Sequence, residues 1–434
     1  MKKIPNIVII GGGAAGLQIA TSLGRQLGKR NQARISLIDH SLTYVWKPLL
    51  HEVAVGTVDV YEDEINYIAH AHTNFFNFQL GELHSLHRKD KSITLSIKPK
   101  NTKVQSIKYY TINYDILIIS IGSTSNNYNI PGSDSYCHYL DSLEQARQFQ
   151  KSFLEEVIAV QQLKEQSKKI NVAIIGAGAT GVELSAELYY AIKQIQRYQI
   201  CKYYPQINIS LIEASTRILS TLPKRISKLA LKKLNHININ VLTDEKIVSV
   251  TKEGVSTASG KFITANLKIW AAGIKGDNIL NNLDGLITNN ISQLLVKKTL
   301  QTTLDDNIYA LGDCAAFPIQ GVGKTFAPPR AQVACQQASL LTRSLIGVVK
   351  HKRPPLHYCY RDNGSIISIS RQGTIGYLIK KNFIKVFIEG FIARACYVLL
   401  HKIYQVKLRG LLVVSLITLT KVIMQRIKPK LKLH

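Results

Sequence analysis

The chain has 434 residues, too many for one ordinary hydrophobic core and suited to two or three domains. A hydrophobic content of 46% and a charged content of 19% exclude a disordered polymer. The formal net charge of +27 predicts attraction to polyanions (nucleic acid, anionic headgroups or phosphorylated ligands) without choosing among them.

Lys2 and Lys3 precede an apolar run at 7–10, but Gly11, Gly12 and Gly13 interrupt it at once. The run therefore reads as a first β-strand and not as a cleaved leader. A helix over about 14–27 and a strand at 35–38, ending at Asp39, complete a βαβ unit. Short alternating runs at 92–97 and 109–114 predict an antiparallel insertion. The continuous apolar stretch at 114–121 (YDILIISI) predicts a buried strand closing at Gly122.

The opening grammar then recurs. A strand at 172–175, a glycine turn over 176–181, a helix from about Val182 and a strand at 207–212, ending at Glu213, form a second βαβ unit. Its helix-and-loop spacer runs through Tyr203, Tyr204 and Pro205. Another strand at 308–311 ends in Gly312 and Asp313. Beyond Pro354 and Pro355 the composition shifts: residues 376–434 hold twelve Lys or Arg and a single acid, Glu389. The longest apolar run there, 411–419, ends at Lys421 and falls short of the roughly 18–20 residues needed to cross a bilayer. The six cysteines, Cys137, Cys201, Cys314, Cys335, Cys359 and Cys396, form no CxxC pair, so neither a metal site nor a close-spaced redox disulfide is predicted. Free thiols in a reducing compartment are the simplest expectation.

Gly11-Gly12-Gly13-Ala14-Ala15-Gly16 matches G-x-G-x-x-G between a strand and a helix. In such a motif the first glycine permits the turn, the second lets a pyrophosphate approach the backbone, and the third lets helix and strand pack closely. The helix N-terminus offers N–H groups and partial positive charge to the phosphates. Asp39 stands where a carboxylate accepts from a ribose; the bland alternative is a glycine turn without a ligand. The second motif is Gly176-Ala177-Gly178-Ala179-Thr180-Gly181, and its acid is Glu213. A carboxylate there favours NADH over NADPH by repelling a 2′-phosphate, although Arg217 is close enough in sequence to weaken that inference. The run Leu311-Gly312-Asp313-Cys314-Ala315 reads either as a helix N-cap or as the grip on the ribityl or pyrophosphate oxygens of a flavin. Two dinucleotide folds in one chain point to hydride transfer between a nicotinamide and a flavin, with reacting atoms about 3–3.5 Å apart.

Further residues bring a family into view. Trp46-Lys47-Pro48-Leu49-Leu50-His51-Glu52-Val53, Tyr114-Asp115 with Gly122-Ser123, the GAGATGVE run at 176–183 and Trp270-Ala271-Ala272-Gly273 are four of its marks. Gly312-Asp313-Cys314-Ala315, Ala331-Gln332-Val333-Ala334-Cys335-Gln336-Gln337-Ala338 and the closing Lys432-Leu433-His434 complete them. Over nearly its whole length the chain resembles the type II NADH:quinone oxidoreductases, single-subunit, non-pumping NADH dehydrogenases of respiratory membranes. The resemblance implies FAD held by Gly11, Gly13, Gly16, Asp39, Lys47, Ser123 and Asp313. It implies NADH held by Gly176, Gly178, Gly181, Glu183 and Glu213. Ala14, Ala15, His40, Ala272, Gly273, Gly312, Ala331 and Gln332 complete the implied cofactor-binding set. Glu183 is further linked to turnover near the nicotinamide, although an acid in a first helical turn is favourable against the dipole whatever its function. Gln332 and Gln336 are implied at the quinone end and share one helix face; a merely solvated face is the alternative. The chain departs from the family pattern at His401, Tyr404 and Asn290.

The expected fold class is α/β: two Rossmann-like dinucleotide-binding domains, for FAD and NADH, plus a C-terminal amphipathic membrane-binding region. The expected boundaries are 1–135 and 292–345 for FAD, 136–291 for NADH and 346–434 for membrane attachment. In the tail, Ile392, Ala395, Leu399, Ile403 and Val406 fall on one helix face, with Arg394, His401, Lys402, Gln405 and Arg409 largely on another. With Lys421, Arg426, Lys428, Lys430 and Lys432 following, this predicts a helix lying in a membrane interface. The alternative is packing on the chain's own core or on a partner in a homodimer. The expected partners are quinone and a lipid surface, with peripheral attachment at the cytoplasmic face of the inner (cytoplasmic) membrane. Nucleic acid is not expected, because the cations are dispersed and no helix-turn-helix or zinc-finger spacing occurs. The rival readings are a sulfide:quinone or ferredoxin reductase and a catalytically silent membrane flavoprotein.

Overall fold

The computed structural model describes residues 4–58, 64–97, 107–162, 169–197, 206–319, 325–379 and 384–424. Cys201, the spacer through Tyr203, Tyr204 and Pro205, and the basic end with Arg426, Lys428, Lys430, Lys432, Leu433 and His434 lie outside them. The chain forms two compact units. The first comprises Met1–Trp46, Asp63–Thr124 and Ile274–Arg361; the second comprises Lys47–Glu62, Ser125–Gly273 and Asp362–His434.

The first unit is built on a five-stranded parallel sheet in the order Ile308–Ala310, Ile116–Ile119, Asn6–Ile10, Arg34–Asp39, Asn77–Leu80. The runs NIVII and ILII are apolar at successive positions because both faces of a central parallel strand are covered; Ile7, Val8, Ile9, Leu117, Ile118 and Ile119 are fully buried. Ala14–Gln26 and Ala331–His351 are neighbouring helices, tied by Gln18 Nε2 donating to Ser339 Oγ at 2.8 Å. The predicted antiparallel insertion is a three-stranded sheet of Glu82–His87, Ser92–Ile97 and Lys108–Asn113. The 114–121 run is a strand only over Ile116–Ile119. It is preceded by Asp115, whose carboxylate accepts from the Asn6 N–H at 2.8 Å.

The second unit repeats the theme with a four-stranded parallel sheet, Asn240–Leu242, Gln206–Ile212, Lys169–Ile175, Leu267–Trp270. Two antiparallel three-stranded sheets belong to it: Ile247–Val250 with Gly254–Thr257 and Phe262–Thr264, and Gly364–Ser368 with Thr374–Ile379 and Lys385–Glu389. The latter packs against the helices Ala179–Arg197 and Lys224–His236. For that reason residues from Asp362 onward group with this unit and do not stand alone from 346. The boundaries expected at 135, 291 and 345 do not coincide with the two units.

Helices Phe391–Arg409 and Leu411–Met424 close the described chain, separated by Gly410 at φ 86°. The first buries Ala393, Tyr404, Gln405 and Leu408 and turns Ile392, Ala395, Leu399 and Ile403 outward. Gln405, expected on the polar face, is inside; its Oε1 accepts from Lys402 Nζ at 3.2 Å. Among the described residues no helix is long and apolar enough to cross a membrane.

Candidate nucleotide sites

The first cradle forms where Asn6–Ile10 hands over to Ala14–Gln26. Gly11 has φ +92°, and a Cβ there would meet the Ser120 carbonyl at 2.5 Å. A Cβ on Gly16 would collide with the Gly11 carbonyl oxygen. At Gly13, by contrast, a Cβ meets no protein atom within 4 Å. Gly13 is also the N-cap of the helix that Ala14 begins, and no side chain caps it. The glycines thus differ: Gly11 and Gly16 have no room for a Cβ, whereas the space beside Gly13 is open.

Several groups hold this loop in shape. Asp39 Oδ2 accepts from the Gly12 N–H at 2.6 Å and Oδ1 from the Ser41 N–H at 2.8 Å. A carboxylate has about four acceptor positions, so capacity for a ribose hydroxyl is left. His40 is exposed beside it, its Nδ1 3.6 Å from Asp39 Oδ1. Ser120 Oγ donates to the carbonyls of Gly11 and Ile10 at 2.8 and 3.0 Å. Tyr67 OH donates to the Gly12 carbonyl at 2.8 Å, its ring stacked on Phe78. In the same unit Ser123 Oγ donates to Asp313 Oδ2 at 3.1 Å, Gln293 Nε2 to the Asp313 carbonyl at 2.8 Å, and the Gly312 N–H to Gln337 Oε1 at 2.8 Å. Gly312–Cys314 is a short 3₁₀ turn with Leu311 at its N-cap and Asp313 in its first turn, so Asp313 is not the N-cap residue. Sequence reasoning missed Ser120, Tyr67, Gln293 and the holding role of Gln337. Only Gln337 carried a signal, as a member of the glutamine-rich helix start.

The second cradle reproduces the first. Gly176 has φ +101° with the Ala271 backbone 2.7 Å from its absent Cβ; a Cβ on Gly181 would collide with the Gly176 carbonyl; one on Gly178 meets nothing within 4 Å. Glu213 Oε2 accepts from the Ala177 N–H at 2.8 Å and Oε1 from the Ser215 N–H at 2.9 Å, matching Asp39 bond for bond. Trp270 Nε1 donates to the Ala272 carbonyl at 3.0 Å and to the Asn126 carbonyl at 2.8 Å. The Gly273 carbonyl accepts from the Asn126 N–H at 3.2 Å. Arg217, the complication for nucleotide choice, donates to the carbonyls of Leu219 and Ser220.

The helix Ala179–Arg197 begins earlier than expected, and its first turn holds no acid. Glu183 therefore opens the second turn, and the dipole argument for it falls away. What distinguishes Glu183 is burial, with 8% of its surface exposed. Its Oε1 accepts from the Ser368 N–H at 2.8 Å. Burial pushes its carboxyl up to about 8; Glu52 and Glu187 add to that rise and the Ser368 N–H opposes it. Glu187, one turn on, is raised by burial and held back by Ser370, Arg394 and Arg371. Tyr397 is pushed up by burial, then by Glu183, Glu52 and Glu187. Within the second unit, the helix Leu50–Ala54 of the WKPLLHEV run delivers Glu52 to this cluster and carries His51, which burial depresses to about 4. Lys47 belongs to this unit too, with Nζ 3.4 Å from Asp141 Oδ1. It is not grouped with the other residues expected to hold FAD. Glu187 at i+4 from Glu183 was legible as a shared helix face; Tyr397 had no such signal.

Ala331 opens the helix Ala331–His351 after Arg330, and Gln332 and Gln336 are half-buried on it. Gln336 bridges to the segment beyond the helix. Its Oε1 accepts from Tyr358 OH at 3.0 Å and the Arg361 N–H at 3.3 Å, and its Nε2 donates to the Arg361 carbonyl at 2.8 Å.

The family model described as pyridine nucleotide-disulphide oxidoreductase matches residues 5–338. The chain is 38% identical over 446 aligned residues to a type II NADH:quinone oxidoreductase of Haemophilus influenzae, covering 99% of this chain and 100% of that one. It is 25% identical to a protein of the same description from Staphylococcus saprophyticus, over 85% and 89% of the two chains. Its fold matches that of NDH2 from Plasmodium falciparum, solved in complex with NADH, with a TM-score of 0.83 and 20% identity over 99% and 100% of the chains.

Proposed function

Because this chain belongs to the type II NADH:quinone oxidoreductases, we propose that its two glycine cradles divide that activity, the first holding FAD and the second NADH. The observation that carries this reading is the bond-for-bond identity of the cradles. Each has a ligand-facing glycine with no protein atom near its missing Cβ and an acid holding the loop. Both features fit a pyrophosphate at a helix N-terminus with a ribose beside the carboxylate. When bound, FAD supplies a two-electron carrier between NADH and quinone. Asp39, Ser123 and Asp313 orient it, and Gln337 and Gln293 fix the Gly312–Asp313 backbone. Gln332 and Gln336 are the quinone-end residues; Gln336 keeps one amide N–H beyond its three bonds to 358–361. An absorbance scan tests the whole: the purified protein is yellow, NADH bleaches it, and a soluble quinone restores the colour. A colourless protein, or one that NADH does not bleach, would falsify it.

NADH is the nucleotide preferred over NADPH. Glu213 presents a carboxylate where a 2′-phosphate would lie, and Arg217 is turned to two backbone carbonyls. Glu213→Gln removes the repulsion and keeps an acceptor for the Ala177 N–H. The ratio of kcat/KM for NADH to that for NADPH is expected to fall about tenfold or more, as one removed charge contact is worth on the order of 1–2 kcal/mol. An unchanged ratio rejects the assignment of Glu213 to the nucleotide ribose.

The reading extends to attachment. The outward faces of the last two helices expose Phe391, Ile392, Leu399, Leu411, Leu412 and Leu416, which suits a peripheral helix pair seated in a lipid interface. The proposed location is the cytoplasmic face of the inner membrane; a homodimer is the other way to cover these faces. A sulfide-oxidising site is not favoured. Cys314 is buried with its thiol directed at the Leu311 and Ile119 carbonyls, and burial pushes it up to about 11, the opposite of a reactive thiolate.

A further inference from the structure

The helix Lys224–His236 carries a cationic surface that neither nucleotide cradle nor the tail accounts for. It buries Ile226, Ser227, Ala230 and Leu234 in the second unit and leaves Lys224, Arg225, Lys228 and Lys232 exposed. Lys224, Lys228 and Lys232 follow at intervals of four, so their ammonium groups run along one edge. With Arg225, Leu229 and Glu389 they line a groove of about 530 Å³. Glu389, the carboxylate among these lining residues, is taken by Lys233 at 2.9 Å. Lys233 also donates to the Gln372 carbonyl at 2.9 Å, anchoring the helix on the C-terminal sheet. Arg225 is seated over the Phe387 ring, 4.7 Å from its centroid. The groove therefore keeps its positive charge and has a fixed floor.

What adjoins it identifies the class of anion. Glu389 is followed, after Gly390, by Phe391 and Ile392, which are 86% and 64% exposed. A row of cations bordered by exposed apolar side chains is the composition of an interfacial membrane surface. A soluble phosphate site has no use for the apolar border. We propose that the Lys224-Arg225-Lys228-Lys232 groove receives the phosphate headgroups of anionic phospholipids while the apolar faces of the last two helices enter the acyl region. This rests on the membrane attachment proposed above. It adds that the preference for negatively charged lipid is set by a helix of the nucleotide-binding unit and not by the basic end of the chain alone.

The test uses the full-length flavoprotein, with cosedimentation on vesicles of phosphatidylcholine alone and of phosphatidylcholine mixed with phosphatidylglycerol. In the triple variant Lys224→Gln, Lys228→Gln, Lys232→Gln, partition onto the mixed vesicles falls on the order of a hundredfold, about fivefold per cation. Partition onto phosphatidylcholine stays as in the parent, and so do flavin content and NADH oxidation with a soluble quinone. The triple Lys→Arg variant retains the parent's preference, which separates charge from folding. Equal partition of the Gln variant and the parent onto mixed vesicles overturns the groove assignment and leaves attachment by the tail standing. Equal partition together with saturable, lysine-dependent binding of inorganic phosphate reassigns the groove to a soluble ligand. Failure of the parent to bind either vesicle, with no further loss in Leu412→Asp, removes the attachment reading and this proposal with it.

Discussion

Gly16→Ala is expected to yield a protein that no longer retains flavin. The new methyl collides with the Gly11 carbonyl oxygen and lies 2.5 Å from Ser120 Oγ, and Ser120 in turn holds the carbonyls of Ile10 and Gly11. The helix must withdraw from the strand, and the N–H groups that would face the pyrophosphate move with it. Overpacking against backbone costs about 3 kcal/mol, a loss of more than about a hundredfold in FAD affinity, and the apoprotein is destabilised as well. Gly13→Ala separates the two effects. Its φ of −60° suits alanine and its Cβ meets no protein atom. The apoprotein should therefore lose no more than about 1 kcal/mol, the usual cost of alanine at an N-cap, while flavin is lost because the methyl occupies the approach of the phosphates. The matched change Gly178→Ala should leave a yellow protein whose KM for NADH rises tenfold or more. The readouts are flavin absorbance per protein, melting temperature of the apoprotein and steady-state kinetics. A Gly13→Ala protein with full flavin, or a colourless Gly178→Ala protein, would reverse or abolish the assignment of the cradles.

Glu183→Gln is expected to slow NADH oxidation about a hundredfold, the contribution of one positioned acid or base, with FAD still bound because Glu183 belongs to the second unit. The same change alters stability in a pH window that follows from the raised carboxyl. An acid held at about 8 in the fold, against an ordinary value near 4.5 in the unfolded chain, favours folding in its neutral form. That contribution is fully present below about pH 4.5 and is lost as pH rises through about 8. Glutamine mimics the neutral acid and still accepts from the Ser368 N–H. Variant and parent should thus be equally stable in acid, and the variant should gain progressively toward alkaline pH, by up to about 5 kcal/mol. Denaturant titrations across the window, with parallel turnover measurements, check both halves. Steady-state kinetics unchanged from neutral to alkaline pH remove Glu183 from the reaction, and a stability difference independent of pH removes the neutral carboxyl.

The two βαβ units, the glycine turns, the acids closing their second strands and the amphipathic tail are all legible in the sequence. Each is a short-range pattern: the strand and helix periods and the glycine spacing are set by backbone geometry within some forty residues. The third dimension was needed wherever the outcome depends on residues far apart in the chain. Glu183 became a raised acid because folding buries it and brings Glu52 from another segment, against the opposing Ser368 N–H; nothing in GAGATGVE announces them. Gln405 went inside and the apolar stripe of its helix outward because the C-terminal sheet covers one side only. Residues after Asp362 joined the second unit for the same reason. Local steric rules act along the chain, whereas burial and charge depend on what folding carries to a point in space.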